Sequence, residues 1–413
     1  MEINLIALAI PVFFALILVE IVVARRRGLR LYRFNDMITN LSCGIGQQMV
    51  GIFFSIAYLA LYAWVHARFA RVPFTNASPL AWMIAFVGYD LIYYWWHRIS
   101  HEVNFMWAMH VVHHQSQEYN LSVALRQAWF TSITSAVFAL PLAVVGVPPL
   151  VYATIVSLSL LYQFWIHTRV IDRLAPWFEA VFNTPSHHRV HHGINPEYID
   201  RNHGGTLIIW DKMFGTFEPE RAEVVYGTVK PHTSWNPIWA NFSYWAELWR
   251  QSRRVSDRRE RLKLWVSDPA WRPAELGGPH EIPPVDARTY GKWDVPYAKG
   301  ARAYVGVHFV LVSLLVTALL FYSKTTPLAL TAAGVAFVLA ALAAWGAMFE
   351  NRAWAVPMEL ARHAAAAVAL VLYFGWVAPW PAALAASAVL VALSALWCLR
   401  IRGLLTAPAE SVT

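Results

Sequence analysis

The chain has 413 residues, of which 58% are apolar and only 14% charged, and it carries a formal net charge of +8. Ordinary soluble domains carry about 25% charged residues, so this composition excludes a water-soluble globule and points to a bilayer. The arginines gather between apolar runs, which marks loops beside anionic lipid and excludes a nucleic-acid surface.

The expected fold class is all-α, a polytopic bundle of membrane helices carrying a cytoplasmic, histidine-rich cap. Residues 4–23 form a first apolar span broken by Glu20 and followed by Arg25-Arg26-Arg27, the order of a retained anchor and not of a cleaved leader. A second span is expected at 41–65 and a third at 79–96, the latter ending in Tyr93-Tyr94-Trp95-Trp96. The fourth and fifth, 129–146 and 149–166, meet at Gly146 and Pro148-Pro149, a tight hairpin turn. From His167 to about residue 300 the chain is polar and rich in proline, with Arg250, Arg253, Arg254, Arg258, Arg259 and Arg261 interleaved with Leu248, Trp249, Leu262, Leu264 and Trp265. That mixture predicts helices lying on the membrane surface. Four more spans follow at 303–322, 327–348, 361–377 and 380–399, where His308 and His363 read as isolated histidines, packed or interfacial and not ligands.

These elements divide the chain into an anchor with its basic loop (1–34), a membrane domain bearing the histidines (35–250), a basic and proline-rich linker (251–300) and a C-terminal helical block (301–413). Placing Arg25–Arg33 in the cytoplasm puts residues 97–128 and 167–300 there too, with Arg352, Arg400 and Arg402; Arg68, Arg71 and Lys324 fall outside. The expected location is a bacterial inner membrane or the endoplasmic reticulum.

Chemistry enters with the histidines. His97 and His101 form an H-x3-H pair; His110, His113 and His114 form H-x2-H-H; His188, His191 and His192 repeat that pattern. Residues three and four apart share a helix face, so each cluster presents its rings together. Eight imidazoles exceed what one ion takes, and two metals with four or five nitrogens each is the natural division. Cys43 and Cys398 lie in apolar runs and offer no thiolate site. Imidazole disfavours calcium and magnesium but leaves iron, zinc, copper, nickel and manganese open. Additional ligands, or groups that orient the ligands through hydrogen bonds, are sought in His167, His187, His203, Asp90, Glu102 and Asn120, with Glu118, Arg126 and Gln127 crowding nearby. Trp95, Trp96, Trp107 and Trp129 are candidates to line the path of a lipid chain.

The three histidine motifs resemble those of the fatty acid hydroxylase / sterol desaturase superfamily over roughly residues 35–250. The segments 96–104, 119–127, 183–193 and 208–217 are similar to its alkylglycerol monooxygenase-like members. The resemblance implies a di-iron centre (two Fe) held by the eight motif histidines, O2 as oxidant, a membrane lipid as substrate and a separate electron donor. For the alkylglycerol branch it implies tetrahydrobiopterin as donor and cleavage of an ether lipid through a hemiacetal. A desaturase on the same scaffold is the alternative outcome. A metal transporter or a scaffold with structural metals is the non-enzymatic one. The histidines sit at helix ends on one face and not along the spans, as a translocation path would require.

Overall fold

The computed structural model describes residues 5–405, so the chain termini assigned to the first and last segments, 1–4 and 406–413, lie outside the described residues. Among the described residues there is no strand, only the isolated bridges Phe182–Leu207 and Gly193–Tyr226. The chain forms two compact units, residues up to His232 with Ala240–Trp293, and Thr233–Trp239 with the remainder from Asp294.

The first unit opens with α1 (Leu5–Arg26), α2 (Phe34–Phe69) and α3 (Pro79–Glu102). Helix α2 has 36 residues, about 54 Å at 1.5 Å per residue, far more than the ~30 Å of hydrocarbon. It therefore begins seven residues before the expected span. The extra turns carry Asn35, Asp36, Thr39 and Asn40, all buried. They lie in the polar cap: Ser116 donates to both oxygens of Asp36 at 3.0 and 2.9 Å, and Arg126 donates to Asn40 Oδ1 at 3.1 Å. Glu20, which interrupts α1, accepts hydrogen bonds from Tyr32, Thr168 and the Leu121 amide, tying α1 to the cap.

The short helices α4 (Asn104–Ala108), α5 (Val111–His114) and α6 (Leu121–Ala124) lead to α7 (Thr131–Val145) and α8 (Pro149–Trp165). The expected hairpin is present, but its arms have 15 and 17 residues, about 22 and 25 Å. Both are apolar but fall short of the ~20 residues typical of a spanning helix. Gly146 makes the turn at φ +115°, and a Cβ there would sit 2.1 Å from the Val72 carbonyl oxygen, so only glycine fits. The tip docks on the α2–α3 connection: Arg71 N donates to Val144 O at 2.9 Å and Tyr62 to Val147 O at 3.1 Å. Tyr62, Ala85, Tyr89, Leu142, Val151 and Ile155 pack where these four helices meet. The histidine-bearing ends of α3 and α8 lie opposite that tip, beside α4–α6.

The unit is completed by α9 (Pro176–Glu179), α10 (Pro185–His191), α11 (Ile209–Phe214), most of α12 (Pro237–Ser252) and α13 (Arg258–Val266). Helix α13 packs on the start of α4, where Asn104 N donates to Ser267 O at 2.9 Å and Asn104 Nδ2 to Leu264 O at 2.9 Å.

The second unit holds α14 (Lys299–Tyr322), α15 (Leu328–Phe349), α16 (Ala355–Leu372) and α17 (Pro381–Leu405). These four and α2 are the helices among the described residues long and apolar enough to cross a membrane. The chain is thus a multi-pass membrane protein. His308 and His363 are packed, as expected, but they meet each other: both Nε2 atoms reach Ser394 Oγ, at 2.6 and 2.5 Å. Beside them, buried Glu359 accepts from Tyr304 at 2.6 Å and from Arg362 at 3.0 and 2.6 Å.

Candidate metal centre

Nine buried histidines converge at the cap end of the first unit. His97 and His101 stand one turn apart at the end of α3. His110 precedes α5, which carries His113 and His114. His167 follows α8, and α10 carries His188 and His191 with His192 at its C-terminus. The rings sort into two groups: His97, His101, His110, His114 and His191 form one, and His113, His167, His188 and His192 the other. Within each group the ligand atoms all lie within 4.8 Å of one another.

The division follows from helical geometry. Sequence neighbours differ by about 100° on a helix, so His113 and His114 part company, as do His191 and His192. Each H-x2-H-H motif thus serves both groups, one giving two rings to the first and one to the second, the other the reverse. The groups remain adjacent, with the His114 and His192 rings stacked at 4.4 Å.

Backbone carbonyls fix which nitrogen faces inward. His97 Nδ1 donates to His203 O at 2.8 Å, His113 Nδ1 to Arg126 O at 3.0 Å, His167 Nδ1 to Gln163 O at 2.7 Å and His191 Nδ1 to Arg201 O at 3.0 Å. A carbonyl only accepts, so these rings carry their proton on Nδ1 and aim an Nε2 lone pair inward. His113 Nε2 and His167 Nε2 then face each other at 3.2 Å with no proton between them. His110 Nε2 lies 3.0 and 3.2 Å from the Nε2 atoms of His97 and His114, and His188 Nε2 lies 3.0 Å from that of His167. The Nε2 atoms of His101, His191 and His192 are buried without a partner.

Protonation does not relieve this arrangement. Burial, followed by repulsion from neighbouring imidazolium charges, pulls His110, His114, His188, His191 and His192 well below the ordinary histidine range. Burial brings His113 down to about 4. At neutral pH the site is a set of converging neutral lone pairs, a donor set that fits one cation in each group.

The surrounding chain holds the rings still. Arg189 on α10 is pinned by Glu220 at 2.9 and 2.7 Å and by the carbonyls of Thr168, Ile171 and Asp172. Asp211 accepts from the amides of His203 and Gly204 and from Thr216, each at 2.7 Å. Asp90 accepts from Thr206 N, Leu207 N and Trp210 Nε1 at 2.7 to 3.0 Å. The buried carboxylate inside α3 therefore secures the loop that supplies the His203 and Arg201 carbonyls. Asp200 and Asn202 in that loop both adopt φ 55°, a left-handed geometry that these two residue types tolerate best.

Of the further candidates, the structure brings His167 into the second group and His203 beside the first. The His203 ring is fully buried, 5.1 to 5.7 Å from those of His101, His191 and His97. Neither of its nitrogens closes a hydrogen bond, though the Asp200 backbone lies within electrostatic reach. His187, Glu102 and Asn120 are not brought to the rings. His187 turns to Phe217 and toward Glu179, because it faces the other side of α10. Glu102 is half-exposed and pairs with Arg98 at 2.8 Å. Asn120 caps α6 and donates to Leu31 O. Glu118 pairs with Arg33 and Lys292. Trp107 covers His101 and His114 at 4.8 and 5.3 Å, and Trp96 flanks His97 and His110. Trp95 packs on Phe214 and Trp129 on Phe242, away from the rings. The sequence reading missed Asp200, whose Oδ1 lies 3.5 Å from His101 Nδ1. No spacing rule links a loop aspartate to a histidine 99 residues earlier.

The sequence model of the family described as fatty acid hydroxylase matches residues 82–216, the stretch that holds every histidine of the two groups. A human alkylglycerol monooxygenase is 39% identical over 367 residues, covering 86% of this chain and 80% of the human protein. The zebrafish (Danio rerio) protein of the same name is 38% identical over 389 residues, 91% of this chain and 84% of its own length. An ornithine lipid hydroxylase, OlsE, of Rhizobium tropici is 30% identical over 122 residues, 29% of this chain and 37% of its own. No solved structure matches the chain at a significant level. On this likeness, spanning most of both chains, the protein belongs to the alkylglycerol monooxygenase group of the fatty acid hydroxylase family and is a membrane-bound monooxygenase that uses O2 to hydroxylate lipid.

Proposed function

We propose that this chain hydroxylates an alkylglycerol at the alkyl carbon beside the ether oxygen, using two irons and electrons from a tetrahydrobiopterin-type donor. The substrate is read from the names of relatives that match over most of their length. The observation that carries the metal assignment is the facing pair His113 Nε2 and His167 Nε2, whose outward nitrogens are both committed to carbonyls.

His97, His101, His110, His114 and His191 would hold one iron, and His113, His167, His188 and His192 the other, with His203 as a further donor beside the first. Bound there, the pair supplies the redox chemistry that activates O2 against a C–H bond. The chain's own part is to fix ring orientation through the four carbonyl bonds and to exclude water from the first group with Trp96 and Trp107. The net reaction takes the ether C–H, O2, two electrons and two protons to the hydroxylated carbon and water. The resulting hemiacetal separates into an aldehyde and glycerol without a further oxidant. We assign the catalytic domain to residues 35–250 and the histidines to the cytoplasmic face, a placement supported by the basic residues that flank them.

The test is anaerobic loading of purified protein with ferrous iron, then O2 and reduced pterin with an alkylglycerol, its acyl analogue, a sterol, a fatty acid and an ornithine lipid. Release of long-chain aldehyde from the alkylglycerol alone is expected. Hydroxylation of the acyl or ornithine lipid with the ether untouched, or an unsaturated product, overturns the assignment.

A further inference from the structure

Away from the histidines, the first unit contains a hollow of about 610 Å³ between the end of α12, the loop before it and the segment after α13. Lys230, Arg250, Arg254 and Arg272 line it, with Glu247 as the acidic member of the wall. Glu247 is committed: Lys230 Nζ lies 2.7 Å from its Oε1, and Gln251 donates to the same oxygen at 3.1 Å. Among the described residues no carboxylate pairs with Arg250, Arg254 or Arg272. Three arginines without an ion pair of their own thus line one hollow, Arg250 Nε donating to Ala246 O at 3.2 Å, while Val229, Pro231, Leu276 and Pro283 supply apolar wall and His280 a further polar group. Planar guanidinium forks in this arrangement suit a phosphate, which offers several acceptor oxygens to charged donors at once.

The neighbouring surface indicates where that phosphate comes from. Phe242 and Trp249 of α12, Leu262 and Val266 of α13, and Phe105 are all exposed. Phe105 and Trp265 both pack on Trp245, at 5.3 and 6.3 Å, which links these elements. Trp249 and Arg250 are adjacent in sequence, about 100° apart on the helix, so the aromatic stripe and the basic wall lie side by side. Aromatic residues rimming a cluster of arginines are the pattern of an element seated at the membrane–water interface, with cations at the level of lipid phosphates. The protein is embedded in a bilayer, so lipid phosphate is the anion always at hand.

We propose that this hollow binds the phosphate headgroup of an anionic phospholipid and so seats α12 on the bilayer. The same helix reaches the catalytic cap: Ala240 O accepts from Gln115, just after α5, at 3.1 Å, and Asn241 Oδ1 accepts from Trp129 N at 2.8 Å. Seating α12 steadies the segment that carries His113 and His114.

The test uses full-length protein in neutral detergent, titrated with short-chain phosphatidylglycerol, short-chain phosphatidylcholine and inorganic phosphate, with binding read by thermophoresis. Phosphatidylglycerol is expected to bind, and Arg254→Ala with Arg272→Ala to weaken it about tenfold or more, while Arg258→Ala with Arg259→Ala, an equal charge loss outside the hollow, leaves it unchanged. Arg254→Ala alone, an exposed residue without a partner, gives the same direction should the double variant fold poorly. The proposal fails if the two double variants weaken binding equally, since general electrostatics then suffices. It also fails if phosphatidylcholine binds as well, or if inorganic phosphate binds as tightly as phosphatidylglycerol, which would make the hollow a site for a soluble anion.

Discussion

Two regions of this molecule bring buried histidines together, and they do so with opposite chemical outcomes. In the C-terminal unit, His308 and His363 each donate Nδ1–H to the carbonyl one turn back, Tyr304 O at 2.8 Å and Glu359 O at 2.6 Å. Their Nε2 atoms meet a protein hydroxyl, Ser394 Oγ, whose single proton is donated to one of the two. In the cap, His113 and His167 also commit Nδ1 to carbonyls, but their Nε2 atoms meet each other. The first arrangement has a protein donor between its rings. The second calls for a cation. Clustering of histidines is thus not in itself a metal signature; what distinguishes the cap is convergence of lone pairs that no protein donor answers.

The largest effect that can break this comparison is removal of a ring. His167→Ala takes one of four donors from the second group and leaves the five-histidine group whole. Metal content is expected to fall from two ions per chain toward one, and turnover to drop below detection, as measured by elemental analysis and product assay. His191→Ala should do the same to the first group. Either variant retaining two metals and full turnover would show that the groups are not the centre.

Acid is the next lever. Burial holds His113 at about 4, below the ~6.5 of an exposed histidine. A base whose folded value is lowered contributes stability that is present above 6.5 and is lost as pH falls toward 4, because the unfolded chain takes up the proton first. Metal binding requires the same neutral ring, so it weakens in the same direction. The metal-free protein should lose thermal stability, and the loaded protein should release metal, between pH 6.5 and 4. Metal content constant across that window would contradict neutral-imidazole ligation.

How much of this was readable beforehand follows from what each feature depends on. The eight motif histidines were legible because i, i+3 and i+4 spacing is a local property that survives any tertiary arrangement. His167 was visible as a candidate from its place at the end of an apolar run. The apolar runs also revealed the helices, but not their ends. Helix α2 continues to Phe34 because its polar turns are satisfied by Ser116 and Arg126, partners about 80 residues away. The hairpin arms have 15 and 17 residues, and their tip docks on residues 71 and 72, a contact no local pattern announces. Asp90 stood out as a costly carboxylate in a span, yet its task of holding the 203–207 loop needed the fold. The meeting of His308 and His363 was illegible for the same reason: 55 residues separate them and no motif joins them.

A finer probe of the cap is Asp200→Asn. The carboxylate lies 3.5 Å from His101 Nδ1 and is about one-third exposed, which favours the low end of the range for groups that orient ligands. A loss of about tenfold in metal affinity or turnover is expected. Asparagine tolerates the φ 55° that residue 200 adopts, so the change isolates the charge from the backbone. An Asn variant indistinguishable from wild type in a competitive chelator titration would leave His101 oriented by its packing against Trp107 and the neighbouring imidazoles.

The smallest effect tests the other half of the comparison. Ser394→Ala deletes the hydroxyl shared by His308 and His363 and leaves two buried Nε2 atoms without a partner. An unmet buried group costs about 1–3 kcal/mol in soluble proteins, and hydrogen bonds between membrane helices average nearer 0.6 kcal/mol, so a loss of about 1 kcal/mol in stability is expected. Because the C-terminal pair offers only two imidazoles and lies in neither metal-competent group, the variant should keep two ions per chain and unchanged turnover while unfolding at a lower temperature. The role of the hydroxyl is checked by Ser394→Thr, which retains it and should recover most of the loss. If Ser394→Ala instead drained metal from the protein, the C-terminal histidines would be coupled to the centre, and the presence or absence of a protein donor between the rings would no longer separate the two regions.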